Sequence, residues 1–372
     1  MTQIDWRLGV EIELLAPPGK TRQDLAMAIA AAHRGSVRRF FHPQSEPSLV
    51  PGTPVFHNLT LGFEVLNADH NWVASCVDDL TLREDLARDT PPRPGWYRII
   101  SDDERLLRLI QQQASAQQPG ERVLDPIATL FGTRACPGPG GMVRVNDRGG
   151  ASVAIAAPLP GERERPCELI TAPLQDRHHQ QLEELLTLAR SLGFVAPVEG
   201  ATHLHFDATS LRTAGAMANL IQILWTYGAT LKQVIGTNPR CRRLGAWPAE
   251  LHVAVTQANF RRLPWDEAQA QLQAVKLTKF CDFNLVNCLR NVPDRNTIEV
   301  RVLPVWLESQ PLLEAASLFV AILRRATEPK PVSPQPPKEA TLQSLKALLN
   351  SLPLSTAQRS RWIKARAGIP GY

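Results

Sequence analysis

Leu8-Gly9-Val10-Glu11-Ile12-Glu13-Leu14-Leu15 carries the pattern that decides how the chain folds. Side chains alternate across a strand, so Leu8, Val10, Ile12 and Leu14 line one face while Glu11 and Glu13 project together from the other. Two strand rises separate these carboxylates, about 7 Å. The same departure from simple patterning recurs far downstream. In Thr202-His203-Leu204-His205-Phe206-Asp207, Leu204 and Phe206 share the apolar face and His203, His205 and Asp207 the opposite one. In Thr297-Ile298-Glu299-Val300-Arg301-Val302, Glu299 and Arg301 play the polar part. Cys167-Glu168-Leu169-Ile170-Thr171-Ala172-Pro173-Leu174 adds one acid, Glu168, near a strand start.

Each motif alone has an ordinary reading. A single Glu-x-Glu suits a wet strand face, His-x-His a hydrogen-bonded pair, and Glu299-x-Arg301 an ion pair within one strand. Their joint occurrence, each with apolar residues pointing the other way, points to one sheet face that gathers four glutamates and two histidines. Crowded carboxylates repel and resist ionisation unless cations lie between them, so this face is expected to bind divalent metal. A donor set dominated by oxygen favours Mg²⁺ or Mn²⁺ over zinc and, with Arg301 nearby, suits nucleotide phosphates bridged by metal. Two other readings stay open: a zinc hydrolase built on His203, His205 and Asp207 with a water nucleophile, and a non-catalytic scaffold that binds peptide or nucleic acid through Arg240, Arg242, Arg243 and a basic tail.

Around these strands, helical and strand periods alternate. Thr21 with Asp24 three residues on forms a capping box for a helix through about His33. Leu182, Leu185, Leu186 and Ala189 make a helical stripe that Gly193 closes. Ser210 is expected to open a helix through about Tyr227, and Pro311 to sit in the first turn of one running to Arg325. Glu64–Leu66, Trp72–Val77 and Ser152–Ala157 read as further strands. Grouped strands and intervening helices give an α+β chain, a sheet with helices packed on one face. Residues 1–328 form the main domain, with an inserted excursion at about 105–150. Five prolines between Pro329 and Pro337 make a linker. Residues 339–372 form a helical appendage in which Arg359, Arg361, Lys364 and Arg366 mark a basic face. Cys136-Pro137-Gly138-Pro139-Gly140-Gly141 lacks the Lys-Ser/Thr ending of a phosphate-binding loop and reads as a turn.

Composition excludes several classes. With 372 residues, 44% hydrophobic and 21% charged, the chain supports a large core and is not broadly disordered. Its net charge of +5 is spread along the sequence, too weak to argue for nucleic acid as partner and compatible with anionic substrates. The six cysteines include no Cys-x-x-Cys pair, which fits a reduced cytoplasmic chain with cysteines used for packing. No apolar run reaches membrane-spanning length, and Met1 to Arg7 lack the basic-then-apolar order of a signal peptide.

Taken in order, Gly9-Val10-Glu11-Ile12-Glu13, Trp72 with Asp78-Asp79-Leu80-Thr81-Leu82, Glu168-Leu169-Ile170-Thr171-Ala172-Pro173-Leu174, His203-Leu204-His205-Phe206-Asp207, Pro239-Arg240, Lys279-Phe280-Cys281-Asp282-Phe283-Asn284-Leu285 and Thr297-Ile298-Glu299-Val300-Arg301 resemble the amidoligase family, related to glutamine synthetase and glutamate–cysteine ligase. The resemblance spans about residues 5–325 as scattered motifs. It implies a glutamine-synthetase-like curved, mainly antiparallel sheet and an ATP-dependent carboxylate–amine ligase, acting on a small-molecule or peptide carboxylate and an amine acceptor. By that resemblance Glu11, Glu13, Glu168, His203 and Glu299 hold two or three Mg²⁺ or Mn²⁺ ions, and His205 contacts the ATP phosphates. Arg301 and Arg240 stabilise the transferring phosphoryl group or bind the substrate carboxylate, and Lys279 and Asn284 line the substrate side. The chain departs from the pattern at Asp79, where a glycine is usual, and at Phe280, where a tyrosine is usual. An attacking amine must lose a proton, and a carboxylate at the site's rim, Asp78 or Asp79, is the candidate acceptor.

Overall fold

The computed structural model describes residues 4–47, 55–101, 103–290 and 296–364. Its strands, in chain order, are β1 (Leu8–Leu15), β2 (Ser36–Pro47), β3 (Val55–Leu66), β4 (Trp72–Val77), β5 (Tyr97–Ser101) and β6 (Cys136–Pro137). They continue with β7 (Val143–Asn146), β8 (Ser152–Pro158), β9 (Pro166–Thr171), β10 (Thr202–Asp207), β11 (Phe283–Asn284) and β12 (Thr297–Leu303). With the helices that alternate with them, the architecture is α+β. The chain divides into two compact units, the first made of Met1–Glu11, Pro173–Glu184 and Gly200–Tyr372, the second of Ile12–Ala172 and Leu185–Glu199.

In the first unit the strand order is β11–β12–β10–β1. Strands β10 and β12 run antiparallel, with His205 opposite Glu299, Leu204 opposite Val300 and Phe206 opposite Ile298. The register slips between Thr202 and Leu204, because Thr202 pairs with Leu303. One extra residue of β12 therefore lies opposite His203, a bulge that bends the strand and re-aims the side chains around Arg301. Two long helices, Ala214–Ile235 and Ser309–Thr327, pack on each other and cover the apolar face. Phe319 meets Phe206 of β10 at 6.4 Å and Phe283 of β11 at 6.2 Å between ring centroids. Burying each such ring stabilises the unit by about 1.5–3 kcal/mol, and this fixes which face of β10 and β12 stays polar.

The first of these helices starts later than its pattern suggests. Ser210 falls in a short 3₁₀ turn, and Thr213 is the cap, its hydroxyl accepting from the Ala216 amide at 3.1 Å. The helix runs past Tyr227 to Gly236, whose left-handed φ of 77° ends it. The proline-rich stretch after residue 328 has no regular secondary structure, as its prolines require, yet it is strapped along this helix. Buried Asn219 donates to the carbonyls of Ala326 (3.1 Å) and Glu328 (3.2 Å) and accepts from the Val332 amide (2.8 Å) and from Arg261 (2.9 Å). Farther along, the Lys338 amide donates to the Thr226 carbonyl at 2.9 Å, and the Lys338 ammonium lies over the Tyr227 ring. Helix Leu342–Ser351 then buries Leu345, Leu348 and Leu349 against the same helix, and helix Thr356–Lys364 follows. Arg366 lies outside the described residues.

In the second unit the strand order is β1–β9–β4–β3–β5–β8–β7–β6, with β2 paired to β3. All register-resolved pairings here are antiparallel. Residues 136–146 supply the edge strands β6 and β7, which pair onward to β8. Thr21 caps helix Arg22–Ala32 through the full capping box with Asp24. The Arg22 side chain is fully buried: its Nε donates to the Leu61 carbonyl (2.9 Å), its Nη1 to the Arg163 carbonyl (2.7 Å), and the guanidinium lies 4.6 Å from the Trp96 ring centre. Among the described residues no helix is long and apolar enough to cross a membrane.

Candidate metal centre and active site

The polar face of the first unit assembles from three stretches of chain. Glu11 on β1, His203 on β10 and Glu299 on β12 each present a ligand atom, all within 4.8 Å of one another. His203 Nδ1 stands 3.2 Å from Glu11 Oε2 and 3.5 Å from Glu299 Oε1, and His205 Nε2 stands 3.1 Å from Glu11 Oε1. Glu299 is buried and held from two further sides. Asn284 Nδ2 donates to its Oε2 at 2.6 Å and Arg301 Nη1 to its Oε1 at 2.5 Å. Asn284 is oriented for this by the Val286 amide, which donates to its Oδ1 at 2.9 Å. The pairing of β11 with β12 puts Asn284 directly opposite Glu299.

Electrostatics follow from this crowding. Burial alone would push the Glu11 carboxyl up, but the charges and hydrogen bonds of His205 and His203 outweigh it and hold Glu11 well below the usual carboxylate range. Burial likewise opposes ionisation of Glu299, and His205, Arg301 and His203 together bring it down. For His205 burial disfavours the charged form, yet Glu11 and Glu299 raise it to about 9. Without metal the cluster is thus a set of ionised carboxylates neutralised by imidazolium and guanidinium. The donors suit a small hard cation: two carboxylates and one imidazole within a single coordination radius.

Glu13 and Glu168 lie in the second unit, on β1 and β9, with carboxylate oxygens within 4.8 Å of each other. Asp78 does not stand at a rim. It is wholly buried, 2.6 Å from Arg163 and 3.9 Å from Arg22, so its charge serves to neutralise interior guanidiniums and it is unsuited to take a proton from an amine. Asp79 is half-buried and accepts from the Thr81 amide (2.7 Å) and hydroxyl (2.8 Å), a turn-forming arrangement. Asp207 accepts from the Thr209 amide at 2.7 Å, capping the turn after β10, which takes that oxygen away from the histidine pair. Arg240 is exposed on the turn beyond the long helix, and Lys279 is exposed with its ammonium over the Phe280 ring, so neither stands in the buried cluster.

Sequence reasoning passed over Asp282 and Lys232. Asp282 is buried, 3.2 Å from the Lys232 ammonium, and its carbonyl accepts from the Arg301 amide at 3.0 Å. Desolvation pushes its carboxyl up, against the pull of Lys232. The signal was present in Lys279-Phe280-Cys281-Asp282, an acid between apolar residues on a short strand edge.

Residues 5–321 match the family described as "Putative amidoligase enzyme". The chain belongs to this amidoligase family. No curated protein and no solved structure matches the chain. The amidoligase match covers β1, β9, β10 and β12, and with them every residue of the buried cluster.

Proposed function

We propose that the protein is an ATP-dependent carboxylate–amine ligase that forms an amide or isopeptide bond, through an acyl phosphate, on an amino-acid or peptide carboxylate. The observation that carries this reading is the convergence of Glu11, His203 and Glu299 beside Arg301. A carboxylate resists attack by an amine until one of its oxygens becomes a good leaving group, and phosphorylation by ATP supplies that. Two anions, carboxylate and γ-phosphate, must then meet, so the site has to offer positive charge fixed in advance.

In this proposal Glu11, His203 and Glu299 hold one Mg²⁺ or Mn²⁺ ion, and Glu13 and Glu168 contribute donors to another. Bound there, a divalent ion would neutralise phosphate oxygens and keep the cluster's carboxylates ionised. Arg301 keeps its charge at any working pH, and Glu299 fixes its fork in place to meet the equatorial oxygens of the transferring group. Asn284 orients Glu299, and the Asp282 carbonyl anchors the backbone of Arg301. His205, charged at neutral pH, adds a second cation next to Glu11.

The test is a screen of acid and amine pairs for ADP release from ATP with Mg²⁺, followed by mass measurement of the product. The proposal expects ADP release that requires both substrates and metal, and its loss in Glu11→Gln. A folded Glu299→Gln protein with unchanged turnover would overturn it.

A further inference from the structure

The first unit holds a cavity of about 710 Å³ beside helix Ala214–Ile235, and the ligase reading gives it no task. Trp225 and Gly228 of that helix line it together with Trp247 and Phe283, and Lys232 and Asp282 supply charge to the same lining. We propose that this cavity binds a free aromatic α-amino acid, its ring against the indoles of Trp225 and Trp247 and its ammonium and carboxylate on Asp282 and Lys232.

The aromatic part of the lining is held in place before any ligand arrives. His252 stacks on the Trp225 ring, 4.9 Å between centroids and 15° from parallel. Trp247 Nε1 donates to the Phe283 carbonyl at 2.6 Å, and its ring meets that of Phe283 edge-on at 5.8 Å. A flat apolar ligand therefore meets preorganised partners and orders little on binding. The loop that follows the helix is anchored too, since Thr237 Oγ1 donates to the Val302 carbonyl at 2.6 Å and Asn238 Nδ2 to the Gly200 carbonyl at 2.9 Å. Pro337 of the strap adds to the lining, pinned on both sides: Thr226 Oγ1 donates to the Gln335 carbonyl at 3.4 Å, and the Lys338 amide to the Thr226 carbonyl. Gly228 is the residue that asks for an occupant. Glycine inside a helix weakens it relative to alanine. Close packing does not demand it here, because a Cβ would stand 3.6 Å from Phe283, an ordinary contact. What the missing side chain provides is room in the cavity, whose volume is that of a small-molecule site.

The polar end of the cavity is a matched ion pair. Asp282 is fixed by the neighbouring loop: the Gly245 amide donates to its Oδ1 at 3.1 Å, and its own amide donates to the Gly245 carbonyl at 2.9 Å. Lys232 Nζ stands 3.2 Å from Asp282 Oδ2, and its side chain is 36% exposed against 11% for Asp282. The flexible lysine stem is thus free to turn toward an incoming carboxylate while Asp282 stays in place to receive an ammonium. A ligand head of one sign would leave one of these two charges without its counterion, which is costly at a desolvated site. A head of both signs leaves each charge matched, and that selects an amino acid over a simple amine or a simple acid.

The proposal does not depend on the ligase reading, because its test reads binding in EDTA without ATP. The full chain is titrated calorimetrically with L-phenylalanine and, separately, with phenethylamine, 3-phenylpropionate and L-alanine, which lack in turn the carboxylate, the ammonium and the ring. Saturable binding of L-phenylalanine is expected, with each of the other three weaker by about tenfold or more. Gly228→Leu extends a helix-favouring side chain into the cavity and is expected to abolish binding while thermal unfolding stays at or above the wild-type temperature. Trp225→Ala, a change at a half-buried side chain, is expected to weaken binding about tenfold. Cys241 lines the cavity and Cys136 is exposed in the second unit, so L-phenylalanine should slow iodoacetamide alkylation of Cys241 and leave Cys136 unchanged, read by peptide mass spectrometry. No saturable binding of L-phenylalanine, equal binding of the amine or the acid, or unchanged affinity in both Gly228→Leu and Trp225→Ala would each overturn the proposal, as would equal slowing at the two cysteines.

Discussion

Raising the pH on metal-free protein should weaken the first unit through a single imidazole. His205 is only 17% exposed and is raised to about 9 by Glu11 and Glu299, against burial that works the other way. Free of those partners in the unfolded chain, an imidazole titrates near 6.5. A folded-state value above the unfolded one means that the stabilisation is complete below about pH 6.5 and disappears as pH rises through about 9. At about 1.4 kcal/mol per unit, the full contribution is about 3 kcal/mol, of which about 2 is lost between pH 6 and 8.5. The depressed Glu11 reports the same attraction from the acid side, lost as pH falls below the usual carboxylate range, and the two are not added. Buried Cys281 and Cys288, pushed by burial to about 11 and about 12, begin to favour the unfolded chain only above about pH 9, outside this window. The assay is urea unfolding in EDTA at half-unit pH steps, followed by tryptophan fluorescence, with Glu11→Gln alongside. Gln keeps the shape of Glu11 and removes its charge, so the slope should largely flatten. A wild-type stability that is level or rising from pH 6.5 to 8.5, or a slope that survives unaltered in Glu11→Gln, would refute the reasoning.

Three other outcomes are expected. Arg301→Lys replaces a two-pronged fork with a point charge and should lower ligase turnover about 100-fold, measured as ADP release, while thermal unfolding stays close to wild type. Asp78→Asn leaves Arg22 charged and buried and should cost about 3 kcal/mol or more in denaturant unfolding, the opposite of what a rim proton acceptor would show. Asn219→Ala removes the hub that holds residues 326–332 and should cost about 2 kcal/mol and speed limited proteolysis between residues 328 and 340, read by mass spectrometry of the fragments.

What could be read in advance follows physical locality. Strands β1, β10 and β12 alternate polar and apolar residues around Glu11, His203 and Glu299, so the shared face of these three side chains is legible in the sequence alone. Asn284 was found by its motif, but its work, orienting Glu299, depends on the cross-strand register of β11 with β12. The bulge opposite His203 leaves only a faint mark, the adjacent apolar and buried Val302 and Leu303 that break the alternation at the very end of β12. Asp78 was misplaced because its burial depends on Arg163, 85 residues away, whose guanidinium reads in sequence as surface charge. The proline-rich strap failed differently. Prolines do forbid helix and strand there, but the backbone carbonyls and the few amides left between them still bond outward, and one asparagine in an otherwise apolar helix collects them.

The first unit takes its opening strand segment, Leu8–Glu11, from one part of the chain and its other strands from a stretch beginning at Gly200. During biosynthesis Glu11 leaves the ribosome some 190 residues before His203 and nearly 290 before Glu299. Until β10 has emerged, Leu8 has its bridge to Leu174 but the segment lacks its β10 neighbour, and the Glu11 carboxylate has no imidazole beside it. The second unit, whose residues end at Glu199, has its whole chain available first and can settle while translation continues. The acidic cluster is therefore among the last parts of the protein to exist, and a chain stalled before Glu299 would have the residues of the second unit complete and the Glu11–His203–Glu299 cluster still one carboxylate short.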